Sequence, residues 1–527
     1  GKKRKRKLNP YPKDLHQLVR VSGTQNESLS EIDDLMAEME SSESKFIAQT
    51  DSSNVSSVLP LTTQTDDVIS KSEHHGYWNI SQDVIPLDPK NQKVVTWNNA
   101  LHSWRKTGRY TPGLLPDFQV DLSRHFHIEK LSNSLLTSCN EVRMPTFERW
   151  IIDSKLEEEK VLDPVIPLAT TSTDASRRLL RELSDHMDID KAEKLVQNLC
   201  IMAKAAAQEI SVLQQRNWNV CPLRKGDRIH MEDHEDDFLA LIYHRKGWKK
   251  PYCIKINKLH YSKLKTLFER VHGKTSSKLL HVFHLFVMCL IIRYSSLSGG
   301  QLLNDLRGGG MQGSIHPHVF VSLSLFFGRP CVEAFASPLN SYYPQFGSAF
   351  GDIDWHFGSF GDFFQQQHEF QEGCFEANPP FSPGLMTRMA KEMKRRLDRA
   401  NEKQLHLTYV VIVPTAASKS SSVAKEFAND SFQLLLQLSY HHFILDSRDH
   451  GFVEGAQHLK PTRYKQSSYD TSIFILNSKV ASKNMSEISQ LETNIREAFR
   501  TKHGTEQSML QKSNVSCPST LVGKEKM

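Results

Sequence analysis

Asn378-Pro379-Pro380-Phe381 follows the short apolar run Cys374-Phe375-Glu376-Ala377. These residue types suit one chemistry, the holding of an aromatic amine for alkylation. The amino nitrogen of adenine is a poor nucleophile because its lone pair is delocalised into the ring. Two oxygens that accept its N–H groups localise that pair. The Asn378 side-chain carbonyl offers one acceptor and the Pro379 backbone carbonyl the other. Successive prolines, Pro379 and Pro380, fix φ and stiffen the turn. Phe381 adds a flat apolar face for an extruded base. Orientation against a methyl sulfonium then does most of the work, with no strong general base. The same tetrapeptide also suits an ordinary rigid loop after a strand, so alone it is not specific.

Other chemical signals are weaker. Gly308-Gly309-Gly310-Met311-Gln312-Gly313 satisfies G-x-G-x-x-G, but helix-like Leu302–Arg307 precedes it and no acid follows before Glu333. A dinucleotide site needs a strand before the loop and an acid about 20 residues on. These glycines still let backbone approach a ligand closely. No G-x-S-x-G, H-E-x-x-H or Walker loop occurs. The eight cysteines (Cys139, Cys200, Cys221, Cys253, Cys289, Cys331, Cys374, Cys517) are scattered without C-x-x-C spacing. Buried thiols in a reducing compartment are expected, with no structural metal.

Alternating strands and helices must position this corner. Strands are expected at Phe238–His244, Pro251–Ile256, Cys331–Ala336, Phe375–Ala377, Leu407–Val413, His442–Leu445 and Ser472–Leu476. Helices are expected at Tyr261–Val271, from Leu279, and at His318–Phe327, Gly384–Arg399 and Val423–Leu438. This pattern predicts an α/β domain of βαβ units over residues 236–480, with ligands at strand carboxyl ends. The strand Val332–Ala336 ends in Ser337-Pro338-Leu339-Asn340, where a methyl donor would sit. The helix after the corner carries Arg388, Lys391, Lys394, Arg395, Arg396 and Arg399 against Glu392 and Asp398. That surplus suits phosphates or a solvated face. Residues 96–235 show helical spacing (Leu179, Leu180, Leu183, Met187), and Lys191–Gln215 lacks Gly and Pro, which predicts a helical domain.

Length and charge bound the remainder. The 527 residues allow two to four domains, and 39% hydrophobic content leaves room for tails. Residues 1–20 carry a net charge of +7, although the whole chain sums to only +6. Such a basic cluster reads as a nuclear-import signal or a phosphate-binding arm. Residues 21–95, rich in Ser, Asp, Glu, Thr and Asn, bury too little apolar surface to offset ordering entropy. Residues 1–95 are therefore expected to be a basic, largely disordered arm and linker. Residues 481–527 read as a polar tail with one weak helix near Glu487–Thr501. The longest apolar run, Leu279–Ile292, has 14 residues. A membrane span needs about 20, so a buried core helix and no membrane are expected. No leader pattern marks secretion, and a start at Gly1 reads as a cut fragment.

Several segments together resemble the phosphorylated-CTD-interacting factor family, the cap-specific adenosine N6-methyltransferases. They are Gly310-Met311-Gln312-Gly313-Ser314, His318-Val319-Phe320, Phe335-Ala336-Ser337-Pro338-Leu339-Asn340, Phe357-Gly358-Ser359, Phe375–Phe381 and Gly455-Ala456-Gln457-His458. A fainter likeness extends to Phe147-Glu148-Arg149-Trp150. The resemblance implies a Rossmann-like methyltransferase domain packed with an N-terminal helical domain, and S-adenosylmethionine as donor. It implies capped RNA as substrate, methylated at the 2′-O-methyladenosine beside an N7-methylguanosine cap. Nuclear residence and binding to the phosphorylated RNA polymerase II C-terminal domain, through a WW domain, would follow. No WW-like segment is visible in this sequence. Carried over, Asn378, Pro379, Pro380 and Phe381 take the base. Gln312, Gly313, Ser314, Phe335, Ser337, Pro338, Asn340, Phe357, Gly358 and Ser359 take the cofactor. Arg181, Arg216, His450, Gln457 and His458 are the candidates for cap and phosphate contacts. The chain departs from the family in two places. Ser382-Pro383-Gly384 replaces an acid soon after the Phe, and Thr415-Ala416 replaces a Glu-Trp pair. A non-catalytic relative, or an adenine methyltransferase with another nucleic-acid substrate, is the alternative.

Overall fold

The computed structural model describes residues 78–80, 116–158, 161–217, 226–234, 237–275, 277–300, 310–364, 371–415, 431–461, 463–483, 485 and 487–513. The basic run 1–20, most of the linker, Gly308-Gly309, Ala416 and residues 423–430 of an expected helix lie outside them, as does the side chain of Arg216.

Helices begin where local side chains satisfy their free N–H groups. Asp117 accepts from Gln119 N and Val120 N to open α1 (Phe118–Ser138). Pro145 occupies the first turn of α2 (Met144–Leu156), where its missing N–H costs nothing. Thr173 caps α3 (Asp174–Ser184) through Ser176 N. The Ala- and Leu-rich stretch forms α4 (Ile189–Asn217) as its composition predicts. Helix α1 packs on α4 and on the apolar helix α6 (Ser277–Leu297). The span Leu280–Leu297 is long and apolar enough to cross a membrane, yet 83% of it is buried within the fold.

Ion pairs tie this helical layer together. Arg124 Nε donates to Asp163 at 2.8 Å and Nη1 to Asp121. Arg293 of α6 donates to Asp121 at 2.5 Å and, through Nη1, to both Asp352 oxygens at 3.0 Å. Arg124, Asp121, Asp163 and Arg293 are all buried.

The expected strand pair is present as β2 (Phe238–His244) and β3 (Tyr252–Asn257), antiparallel. A further strand, β1 (Arg228–Asp233), pairs with β2. Only Ile229 of β1 is buried, so it carried no alternation to read. Asn257 then caps α5 (Lys258–His272), which ends at Gly273 with φ 80°. After α7 (Pro317–Phe327) comes a very short β4 (Val332–Glu333), then β5 (Gly373–Ala377), α8 (Pro383–Lys403) and β6 (Leu407–Pro414). Next are α9 (Ser431–Leu438), β7 (Ser439–Leu445), β8 (Gly451–Val453), β9 (Tyr464–Gln466), β10 (Thr471–Asn477) and α10 (Ile488–Ser513).

Among the described residues the main sheet runs β4-β5-β6-β10-β7. Strands β4, β5 and β6 are parallel, but β10 lies antiparallel between β6 and β7. The sheet is therefore mixed, where unbroken βαβ units were expected. Every residue of β6 is buried, and a strand covered on both faces reads the same in either direction. Isolated parallel bridges, Ala336 with Ser348 and Phe346 with Ser359, continue the pairing past β4. The chain thus steps outward from β4 through 346–348 to 359, then returns to β5 on the other side. Strand order reverses between β4 and β5.

Three features were hidden from sequence. The register of β4 and β5 brings Cys331 beside Cys374, which are disulfide-bonded with Cα atoms 4.7 Å apart; the expectation of free thiols fails for this pair. Their separation of 43 residues gave no local signal. Helix α10, expected only as one weak helix near Glu487–Thr501 in a polar tail, belongs to the core: it buries Leu491, Ile495 and Phe499 and packs on α7. Trp78, in the supposed linker, is also part of the core.

Arg293→Met should destabilise the fold by about 3–5 kcal/mol in urea denaturation, because Asp121 and Asp352 lose their shared cation. A pH effect follows from His272 and His356, whose Nε2 and Nδ1 share a 3.0 Å hydrogen bond. Burial pushes His272 down to about 3 and His356 well below its ordinary range. The unfolded chain takes up these protons near pH 6.5, so their stability is whole above that value. It is lost as pH falls from about 6.5 toward 3. His356→Phe should flatten the stability slope between pH 6 and 4 by about 1.4 kcal/mol per pH unit, read from urea titrations.

Candidate active site

Four backbone segments meet at the carboxyl ends of β4 and β5: residues 310–314, 335–340, 378–381 and the β8 hairpin. Ser314 and Val453 exchange two backbone hydrogen bonds, of 3.1 and 2.8 Å. Gln457 Nε2 donates to Ser314 Oγ at 2.8 Å. Asn340 Oδ1 accepts from Ser337 N and Oγ, folding 337–340 into a tight turn, and its Nδ2 donates to Gln312 O at 2.9 Å. Gln312 Nε2 donates to Tyr294 O at 2.9 Å.

The amide of Asn378 has a defined orientation here. Its Nδ2 donates to Gly313 O at 3.0 Å, while its Oδ1 has no partner among the described residues. Gln312 Oε1 is likewise buried without a partner. Both oxygens are open to a donor. Phe381 is half-buried, its ring held edge-on by Phe452 at 6.0 Å and Tyr469 at 5.6 Å. Gln312, Gly313, Ser314, Ser337, Pro338, Asn340, Asn378 to Phe381 and Gln457 are thus brought together.

Other candidates lie elsewhere. Phe335 packs on Phe363 at 5.0 Å, at the edge of the site. Phe357 is wholly buried against Phe268 and Phe283, behind the site. Gly358 holds φ 107°, and a Cβ there would lie 2.0 Å from Pro344 O. Ser359 Oγ bonds Ser348 Oγ at 2.6 Å. These three shape the wall and offer no surface to a ligand, because each is packed or paired inside the fold. Among the substrate candidates His450 is a correction. Its Nδ1 bonds Asp446 O and its Nε2 bonds Thr471 Oγ1, both at 2.7 Å, and no nitrogen is left for a cap. His458 is buried, with its carbonyl accepting from Asn257 N at 2.7 Å. Arg181 is exposed on α3.

Glu392 and Asp398 of α8 are paired within the helix, which leaves its net charge of +4 in place. Arg395 and Arg396 pair with Glu392, Lys394 with Asp398, and Arg388 stacks over Phe364 at 4.5 Å.

Asp153 of α2 is a residue that sequence reasoning missed. It accepts from Ser382 Oγ, from Gly384 N at 3.1 Å, from Leu385 N at 3.2 Å and from Arg178 Nη2 at 3.0 Å. A carboxylate from another helix thereby caps α8 immediately after Phe381. A Cβ at Gly384 would lie 2.6 Å from Asp153 Oδ1, so this acid occupies the space a side chain there would need. The motif Phe147–Trp150 pointed to α2, but nothing marked the aspartate three residues later.

Beneath the corner, Glu333 and Glu376 face each other across β4 and β5, both buried. Burial, then the neighbouring Glu333, pushes the Glu376 carboxyl well above the usual range. A cavity of about 120 Å³, lined by Phe326, Arg329, Gly373 and His406, lies at the amino ends of β5 and β6. It is on the opposite edge of the sheet from Asn378 and has no part in this chemistry.

Comparison with known proteins points the same way. Residues 263–455 match the family model described as Phosphorylated CTD interacting factor 1 WW domain. No WW-like segment was legible in the sequence, and the residues matched run from α5 through β8. A human protein named mRNA (2'-O-methyladenosine-N(6)-)-methyltransferase is 32% identical over 232 residues, covering 43% of this chain and 30% of that protein. A mouse protein of the same name is 31% identical over 232 residues, with the same coverage of both chains. The chain spans about a third of the length of these curated relatives. Family model and relatives agree with the resemblance drawn from the motifs.

Asp153→Ala leaves three donors at the start of α8 without their acceptor. It should lower stability by about 1–3 kcal/mol, measured by chemical denaturation.

Proposed function

We propose that this chain, related through its α/β layer to the phosphorylated-CTD-interacting factor family, is an S-adenosylmethionine-dependent RNA adenosine N6-methyltransferase. The acceptor proposed is the 2'-O-methyladenosine of mRNA that the relatives' name describes for them, at its cap-adjacent position. The observation that carries this reading is the Asn378 amide. Its Nδ2 donates to Gly313 O, which fixes the amide's rotation, and its Oδ1 is an acceptor unpaired among the described residues.

In this reading the fold is a Rossmann-like methyltransferase domain. The reversal of strand order between β4 and β5 supports it, because open α/β sheets bind ligands at the carboxyl ends of strands flanking such a switch point. The donor set also suits the cofactor. S-adenosylmethionine carries an ammonium and an adenine amino group, both N–H donors, and Gln312 Oε1 is an unpaired buried acceptor in the loop. Gln312, Gly313, Ser314, Phe335, Ser337, Pro338 and Asn340 would hold it. When bound, the cofactor supplies an electrophilic methyl group on a sulfonium.

The chain's own residues do the rest. Asn378 Oδ1 and the Pro379 carbonyl accept the two amino protons, drawing the nitrogen lone pair out of the ring and toward the methyl. Phe381 stacks the base, and its edge-on neighbours Phe452 and Tyr469 keep that ring from turning. Placement of nucleophile against electrophile supplies most of the acceleration. Residence in the nucleus, through the basic run of residues 1–20, and docking to phosphorylated RNA polymerase II C-terminal domain complete the proposal.

One observation favours a second reading, an adenine methyltransferase with a different nucleic-acid acceptor. Thr415, just after β6, is buried with its N–H on Asp470 O and Oγ1 on Ser472 Oγ. It offers neither charge nor ring to a methylguanine.

Asn378→Ala should cut methyl transfer from S-adenosylmethionine to capped adenosine RNA by about 10²–10³-fold, the scale of removing one preorganised hydrogen-bonding group from an active site. The melting temperature should hold. Unchanged turnover refutes the assignment. Equal rates on capped RNA, uncapped RNA and DNA would select the second reading.

A further inference from the structure

We infer that Trp78 and Asn79, in the segment before the helical layer, are positioning residues for the methyl donor, a role that rests on the cofactor reading above. The loop 337–343 presents Ser337 and Asn340 to the site, and its inner side is gripped at three points. Glu333 Oε2 accepts from Tyr342 N at 2.8 Å and Tyr343 N at 3.1 Å. Lys263 Nζ donates to Ser341 O at 2.7 Å and Leu339 O at 3.4 Å. Asn79 N donates to Tyr342 O at 2.8 Å.

The weakest of these grips by nature is Lys263. An ammonium buried beneath a loop is costly, and its hold on two carbonyls lasts only while its remaining surroundings favour the cation. Glu333 supplies an opposing charge, and Trp78 adds an aromatic face. Its indole lies 5.1 Å from Nζ, and the ring meets His260 edge-on at 5.9 Å. Trp78 is only 7% exposed, so the cation–π contact is desolvated and strong. The backbone of Asn79 and the ring of Trp78 therefore act on the same loop, one directly and one through Lys263. Removing the indole admits water to the ammonium and frees the Leu339 and Ser341 carbonyls, and the turn holding Ser337 and Asn340 loosens. Asn378 and Phe381, on the next strand's loop, are untouched.

The test is S-adenosylmethionine binding by calorimetry on the full chain, with steady-state methylation of capped RNA alongside. Trp78→Ala should raise Kd and the KM for S-adenosylmethionine about tenfold, with KM for RNA and saturated kcat unchanged. Trp78→Phe, which keeps an aromatic face, should restore most of the affinity. Asn79→Pro deletes one N–H and leaves Trp78 in place, and it should raise Kd about fivefold even where Trp78→Ala fails to fold. Wild-type affinity in both Trp78→Phe and Asn79→Pro, or a Trp78→Ala protein with a lower melting temperature and an unchanged Kd, overturns the inference. A wild-type chain that binds no S-adenosylmethionine overturns the cofactor reading, and this inference with it.

Discussion

A single hydrogen bond, from Asn378 Nδ2 to the Gly313 carbonyl, decides what the corner can do. A primary amide can donate or accept, and a free asparagine at a loop tip would do both. Tying one N–H to that carbonyl fixes the amide's rotation and so where its oxygen points. That bond requires residues 313 and 378, from loops 65 positions apart in the chain, to sit side by side. The neighbouring interactions maintain this juxtaposition. Ser314 is stitched to Val453, Gln312 to Tyr294 and Asn340, and the turn after Phe381 to Asp153.

The helical layer is therefore part of the site's frame. Asp153 reaches from α2 to the first turn of α8, where orphan N–H groups and the positive end of the helix dipole both favour a carboxylate. Ser382 provides no side-chain cap to its own helix, so the cap comes from α2 instead. The small residues at Ser382-Pro383-Gly384 have a physical sense here. With Asp153 already against Gly384, a larger residue would meet its carboxylate.

Two clusters of buried ionisable groups serve to fix geometry. Arg124 and Arg293 share acids that link α1, α6 and the 352 loop. Lys263, Glu333 and Glu376 lie under the two loops of the site. Burial raises Glu333 to about 7 and lowers Lys263 to about 7, each opposed by the other's charge. Such groups stabilise little beyond what their desolvation costs, but they hold particular backbone atoms in place. Here those atoms are the Leu339 and Ser341 carbonyls and the Tyr342 and Tyr343 amides.

Local residue order was enough to read the corner, because stiffness from two prolines and the acceptor and ring beside them are properties of adjacent side chains. It was enough, too, for the α/β alternation and for most strands and helices, since periodicity and chain breakers act over a few residues. It could not give the direction of β10, buried on both faces, or the strand β1, which buries one residue. Nor could it foresee that His450 would be used up inside the fold while Gln457 reached Ser314. Asp153, Trp78 and the Cys331–Cys374 pair carried no local signature. Their roles come from contacts across tens to hundreds of residues, which exist only once packing has brought those segments together. Which amide atom of Asn378 faces the cleft is decided in the same way, by a carbonyl that the folded chain alone delivers.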